Sequence, residues 1–206
     1  MKITAIEKQK KEGRYNIYLD GEFAFGLYKE SIFDFGLRVN DELDENKITE
    51  IRECDETGFG KKVAYGFLNF KPRTEKEVRK KLKEKKISPK STDKIIESLK
   101  SLKYLNDGAY AKMFVESKLL RKPQGRRMIS IKLKEKGIDK EIVEQTLQDH
   151  YSEDSEIMKA KDLLNKFEKK VRAKSPADKK QKCFRHLISK GFDFDIIGKV
   201  MKPEDE

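Results

Sequence analysis

Tryptophan is absent from this 206-residue chain, and cysteine and histidine occur only twice each. Cys54 and Cys183 are far apart and neither belongs to a CxxC pair, which argues against a disulfide scaffold and a cysteine-rich zinc site. His150 and His186 are a poor supply for a histidine-based catalytic or metal centre. No run of about 18 apolar residues is present, so no membrane-spanning helix is expected. The first residues, MKITAIEKQKKEGR, carry charges where a secretory signal needs an apolar stretch, and a cytoplasmic protein is expected. Hydrophobic residues make up only 36 % of the chain, too little for one large core but enough for several small helical units.

Charge is plentiful and uneven. The net charge is +11, yet residues 1–59 hold 9 Lys and Arg against 14 Asp and Glu, a net of −5. Residues 60–206 hold the other 39 against 23, a net of +16, and residues 60–105 alone hold 15 against 5. A basic body of this kind points to a polyanion, with nucleic acid first.

Near the N-terminus, Tyr15, Ile17 and Leu19 alternate with polar neighbours, Asp20-Gly21 follows, and Phe23, Phe25 and Leu27 alternate again. Asp-Gly between two such runs predicts a β-hairpin with a tight two-residue turn. Ile3 to Lys8 is expected to add a strand. A short helix is expected over Tyr28 to Phe35, another strand at Leu37-Arg38-Val39, and a helix from Asn46 to Glu53 that Gly58 and Gly60 bring to an end. Gly58-Phe59-Gly60-Lys61-Lys62 lacks the spacing of a phosphate-binding loop and is assigned to a domain joint instead.

From Lys61 onward the pattern is helical and repeats. Leu82, Leu133 and Leu187 stand 51 and 54 residues apart, each followed by a lysine-containing run and then by Ile87, Ile138 or Phe192. Gly137 and Gly191 fall where a left-handed helix end favours glycine, and Lys86 takes that place in the first segment. An apolar pair comes next: Ile95-Ile96, Ile142-Val143 or Ile196-Ile197. In the first segment it comes four residues later, an insertion placed around Pro89 to Thr92. Ser88-Pro89, Asp139 and Asp193 fit helix starts. With a helix before each segment, the expectation is a mainly α chain: a curved array of three tandem three-helix repeats, preceded by a small β-hairpin-containing α+β domain. The expected boundaries are 1–59, 60–105, 106–150 and 151–206. Most Phe and Tyr side chains are expected in the cores, as is Cys183.

The densest basic feature is Lys71-Pro72-Arg73-Thr74-Glu75-Lys76-Glu77, where Thr74 and Glu77 form a predicted capping box. Arg73 and Lys76 then flank a helix start whose N–H groups and dipole attract anions. Arg79, Lys80 and Lys83 continue along that helix. Arg121, Lys122, Arg126 and Arg127 mark the equivalent place in the second repeat, with Lys132 further on, and Lys179 belongs to the third. Three basic helix starts would form a periodic stripe able to track a phosphate backbone without reading bases. No catalytic or metal motif is present. A free-standing DNA-binding helix-turn-helix protein and a metal-dependent nuclease remain as other readings at this point.

These same residues carry a family resemblance. Lys71 to Leu82, Tyr104 to Ala111, Gly125 with Ile129, Leu133, Lys136, Gly137 and Ile138, and Leu187 to Ile197 resemble, in order and spacing, the sequence blocks of the RecX family, modulators of the RecA recombinase. Asn106 and Lys86 depart from the family pattern, and the first 59 residues match only its longer members. A monomer with no cofactor and no membrane partner is expected, and the resemblance implies a non-enzymatic protein. It implies binding in the groove of the RecA–DNA filament, with single- and double-stranded DNA as partners, and a modulating role in strand exchange, ATP hydrolysis and coprotease activity during recombination, repair and the SOS response.

Overall fold

The computed structural model describes residues 1–10, 12–121 and 123–202, and for Arg121 the backbone only. Three strands, β1 (Ile3–Lys8), β2 (Arg14–Leu19) and β3 (Glu22–Tyr28), form an antiparallel sheet in the order β1-β2-β3. Asp20 and Gly21 both take positive φ, 53° and 90°, which is what the short hairpin turn requires. Ile17, Leu19, Phe25 and Leu27 face a core shared with Ile3, Leu37, Leu43 and Ile51. Phe23 does not join them. A bulge between Ile17 and Tyr18 shifts the register, so Phe23 pairs with outward-facing Tyr18 and is 58 % exposed.

Helix α1 (Lys29–Asp34) ends at Gly36, with φ +60°. The strand expected at Leu37-Arg38-Val39 is not formed. Leu37 plugs the sheet core while the chain turns through Asn40, at φ +82°, and only an isolated bridge, Lys2 to Glu42, reaches the β1 edge. The helix expected over Asn46 to Glu53 also needs correction. Helix α2 (Glu45–Leu68) starts at Asp44, whose Oδ1 accepts from Lys47 N at 2.7 Å, and runs without a break through Gly58 and Gly60. Glycine weakens a helix by about 1 kcal/mol relative to alanine. Here Gly60 is a close-approach residue: an added Cβ would lie 2.4 Å from Ile95 Cδ1.

The remaining helices are α3 (Glu75–Glu84), α4 (Pro89–Ser101), α5 (Asp107–Arg121), α6 (Arg126–Glu135), α7 (Lys140–His150), α8 (Glu153–Glu168), α9 (Pro176–Ser189) and α10 (Phe194–Met201). With α2 they form three three-helix sets, whose middle members are α3, α6 and α9. All three middle helices end in the same hydrogen-bonded turn. Ile87, Ile138 and Phe192 donate to Leu82, Leu133 and Leu187 carbonyls at 3.1, 3.1 and 3.3 Å. Lys86, Gly137 and Gly191 donate to Lys83, Lys134 and Ile188 carbonyls at 2.9 Å each, with φ of 61°, 85° and 84°. Each turn folds its apolar residue back into a core.

The expected insertion proves to be one extra helical turn. Ser88, Asp139 and Asp193 each stand at the N-cap, so the four added residues lengthen α4 at its start. Ser88 caps α4 with its side chain, whereas Asp139 and Asp193 make no side-chain cap bond. Glu56 of α2 holds the extra turn, accepting from Ser88 N at 3.0 Å and from the Ser88 and Ser91 hydroxyls at 2.5 and 2.6 Å. Burial raises the Glu56 carboxyl, but these bonds outweigh it and hold it below the ordinary carboxylate value.

By contacts the chain divides into two compact units, Met1–Pro72 with Val78–Tyr104, and Arg73–Glu77 with the chain from Leu105 on. In the second unit, Ala111, Val115, Ile129, Leu133, Ile138, Val143, Leu147 and Tyr151 make one core. Ala160, Leu164, Cys183, Leu187, Phe192, Ile196, Ile197 and Val200 make another. No helix among the described residues is long and apolar enough to cross a membrane. The expectation of buried aromatics holds for Phe25, Phe192 and Tyr151, but Phe33, Phe70, Tyr104 and Phe194 are largely exposed.

Candidate functional site

The starts of α3 and α6, where the sequence places most of its basic candidates, are built into joints of one design. At α3, Thr74 and Glu77 form the expected capping box: Glu77 N donates to Thr74 Oγ1 at 3.3 Å and Thr74 N to Glu77 Oε2 at 3.2 Å. Thr74 is nonetheless fully buried. Its hydroxyl donates to Lys136 O at 2.8 Å, at the end of α6, and Glu75 N donates to Asp107 Oδ1 at 2.9 Å, in the first turn of α5. Lys76 lies over Gly137, where an added Cβ would stand 2.6 Å from Lys76 Cβ, and Lys76 Nζ donates to Glu135 O at 3.0 Å.

The joint recurs one set later. Gly125 takes the place of Thr74, and its N–H donates to Lys190 O at 3.0 Å, at the end of α9. Arg126 N donates to Glu156 Oε1 at 2.8 Å, in the first turn of α8. Gly191 stands against Met128, and a Cβ on Gly125 would lie 2.1 Å from Gly191 O. The N–H groups expected to await an anion are therefore engaged by a carboxylate at both helix starts and, at α6, by a backbone carbonyl as well. That corrects the picture of free helix N-termini: these starts bind the ends of α6 and α9 and the first turns of α5 and α8 instead.

Electrostatics reinforce the joints. Burial raises the Glu77 carboxyl, but Lys136 Nζ at 2.6 Å and the Thr74 N–H outweigh it, so Glu77 titrates below its ordinary value. The same bond raises Lys136. Glu156, 2 % exposed, goes the other way, because burial outweighs the Arg126 N–H and guanidinium and raises its carboxyl. Arg126 spans the joint. Its guanidinium stands 3.6 Å from Glu156 Oε2 and donates to the Leu147 and Tyr151 carbonyls at 2.9 and 3.1 Å, closing the end of α7. Tyr151, with no exposed surface, donates its hydroxyl to Gln124 O at 2.8 Å, and burial beside Glu156 pushes its phenol up.

The basic candidates consequently separate by surroundings. Lys71, Lys80, Lys83 and Arg127 are exposed and make no ion pair among the described residues. Arg73 and Lys179 are half-buried. Lys76 and Arg126 serve the joints. Arg79 Nη1 pairs with Asp93 Oδ1 at 2.6 Å, and Lys132 Nζ donates to Gln124 Oε1 at 2.9 Å. Lys122 and the side chain of Arg121 lie outside the described residues. Lys71, Arg79, Lys80 and Lys83 belong to the first unit, and Arg73, Lys76, Arg126, Arg127, Lys132 and Lys179 to the second. Sequence reasoning missed the joint residues Asp107, Glu156, Lys136 and Tyr151. The available signal was an acidic residue in the first turn of α5 and again of α8, each some 30 residues after the basic helix start it serves (75 to 107, 126 to 156). No group of three or more His, Cys, Asp or Glu among the described residues is placed to hold a metal ion.

Four family models match consecutive stretches of the chain. They are the regulatory protein RecX N-terminal domain over residues 1–44, and the first, second and third RecX three-helix domains over 61–99, 106–147 and 154–201. A regulatory protein RecX of Leuconostoc mesenteroides is 37 % identical over 209 residues, spanning all of this chain and 78 % of that protein. The corresponding protein of Clostridium beijerinckii is 36 % identical, over 98 % of this chain and 94 % of its own length. A crystal structure of a regulatory protein RecX superposes with a TM-score of 0.74 at 30 % identity, covering 97 % of this chain and 98 % of that one. A RecX structure from Lactobacillus salivarius gives 0.68 at 30 % identity over 72 % of this chain and 96 % of its own.

Proposed function

The chain belongs to the RecX family of regulatory proteins, and from that premise we propose that it binds the RecA–DNA filament in its groove and modulates RecA activity there. The observation that carries the proposal is the ordered run of four RecX domains together with the uncommitted cations Lys80, Lys83 and Arg127 on the middle helices. Phosphate contacts from such side chains would fix position along a filament without sequence preference. Lys76 and Arg126 are committed to the ends of α6 and α7, and the exposed cations make the contacts. Strand exchange, ATP hydrolysis and coprotease function are the activities to be modulated, in recombination and DNA repair, by a monomer that meets both DNA and recombinase.

Co-sedimentation with RecA–single-stranded DNA filaments, assembled on a slowly hydrolysed ATP analogue, tests this. Binding should weaken steeply as salt rises, because each phosphate contact releases a counterion. No binding at low salt would refute it.

A further inference from the structure

The internal repeat makes one surface conspicuous. Three residues before the buried leucine of each middle helix stand Arg79, Ser130 and Phe184. At the start of the following helix, in register once the extra turn of α4 is allowed for, stand Asp93, Lys140 and Phe194. In the first set these two positions form the Arg79–Asp93 ion pair. In the third they form an aromatic pair, with ring centroids 5.9 Å apart and exposures of 37 % and 66 %. The same architecture thus folds with polar residues at both places, so the exposed rings of the third set answer no requirement of folding. They line a groove of about 1010 Å³ between α9 and α10, floored by Ile197 and Met201 and rimmed by Lys180 and Lys202. Among the described residues, the rim's acidic member, Asp178, is already held by Lys182 at 2.9 Å and by Lys174 N at 2.8 Å, which leaves Lys180 and Lys202 as the rim's charges.

We propose that this groove is a protein-docking site that takes an acidic amphipathic helix of the filament's protein component, not its DNA; the proposal rests on the filament-binding reading. Bases of single-stranded DNA stack on exposed rings but leave an aliphatic floor of Ile197 and Met201 unfilled, whereas the apolar face of a helix fills it with side chains spaced three and four residues apart, and the bare-oligonucleotide measurement below separates the two. Acidic residues flanking that face meet Lys180 and Lys202, and the two phenylalanines act as aromatic anchors.

The test uses the full chain carrying Phe184→Arg with Phe194→Asp, which installs the first set's ion pair and so respects the fold. The expected result is a loss of about tenfold or more in affinity for RecA–single-stranded DNA filaments, the scale of a removed aromatic anchor. Binding to a bare single-stranded oligonucleotide should be unchanged, with wild-type circular dichroism and melting. A second variant, Lys180→Glu with Lys202→Glu, leaves the groove floor intact and should also weaken filament binding. A photo-cross-linker at position 194 should attach to a helical, acid-bearing segment of RecA. Wild-type filament affinity in both variants, an equal loss on bare DNA, or cross-linking to DNA or to a second copy of the chain overturns the assignment. Failure of the wild-type chain to bind filaments at all would instead remove the functional reading beneath it.

Discussion

Replacing Gly191 by alanine tests the joint between three-helix sets most sharply. The residue sits at φ +84°, where an L side chain costs about 1–2 kcal/mol. The new Cβ would stand 2.3 Å from Met128 Cβ and 2.5 Å from Met128 N, so part of the obstacle is backbone that cannot swing aside. Forcing atoms into a packed site costs about 1–3 kcal/mol, and restricting the unfolded chain returns about 0.4–1. The balance is a loss of about 2–4 kcal/mol. Gly137→Ala should cost somewhat less, because the atoms nearest its Cβ are side-chain carbons of Lys76, at 2.6 Å, and none is backbone. Lys86→Gly should be neutral or stabilising by up to about 1 kcal/mol, since Lys86 already holds the left-handed conformation, at φ 61°, with a side chain. Because the chain has two compact units, one global midpoint would blend their stabilities. Hydrogen exchange read by mass spectrometry avoids that. In Gly191→Ala, peptides from α6 and α9 should exchange roughly 30- to 800-fold faster, with tenfold per 1.4 kcal/mol. Wild-type protection in that variant, or a comparable loss in Lys86→Gly, would refute the joint.

Other consequences are open to direct measurement. Arg126→Ala removes the donor to the Leu147 and Tyr151 carbonyls and should cost about 2–3 kcal/mol, with Arg126→Lys recovering only part of it, as read by thermal unfolding. The folded chain holds the Glu156 proton more tightly than the unfolded chain, so the stability Glu156 contributes falls as pH rises from its ordinary 4.5 through its raised value. Glu156→Gln should flatten that slope in urea titrations. Glu77, held below its ordinary 4.5, acts oppositely: its contribution is lost as pH falls through its depressed value, and Glu77→Gln should remove that acid-side loss. Deleting residues 1–58 should destabilise what remains of the first unit, because the cut falls inside α2 and removes Glu56 from Ser88 and Ser91, whereas a chain starting at Asp44 keeps the helix and its cap. Reversing Lys80, Lys83 and Arg127 together should lower the slope of log affinity against log salt by roughly 2–3 with the fold intact, and an unchanged slope would place the phosphate contacts elsewhere.

Local chemistry made much of this fold legible before any coordinates. Asp20-Gly21 announced the hairpin because few other dipeptides accept two positive φ values. The recurring leucine and lysine with Gly137 and Gly191 announced the helix ends of the second and third sets because a left-handed turn constrains its residues so tightly, and the first set makes the same turn with Lys86. Features decided by distant partners stayed hidden. Gly58 and Gly60 read as a break, yet Gly60 lets Ile95 approach α2. The bulge that turns Phe23 outward leaves no mark on the alternation of β3. The basic helix starts read as anion sites because nothing in their own sequence says that Asp107, Lys136, Glu156 and Lys190 will occupy their N–H groups and hydroxyls. For that reason a charge reversal of Arg73, Lys76 and Arg79, the choice the sequence suggests, would damage the Lys76 joint and the Arg79–Asp93 pair together with any interface.

The central claim, that this RecX-family chain lodges in the groove of a RecA–DNA filament, is tested most directly by electron microscopy of RecA–single-stranded DNA filaments saturated with it at low salt. The account calls for added density following the filament groove, with the α9–α10 groove against a RecA protomer. Filaments with an empty groove, or density confined to filament ends, would contradict it.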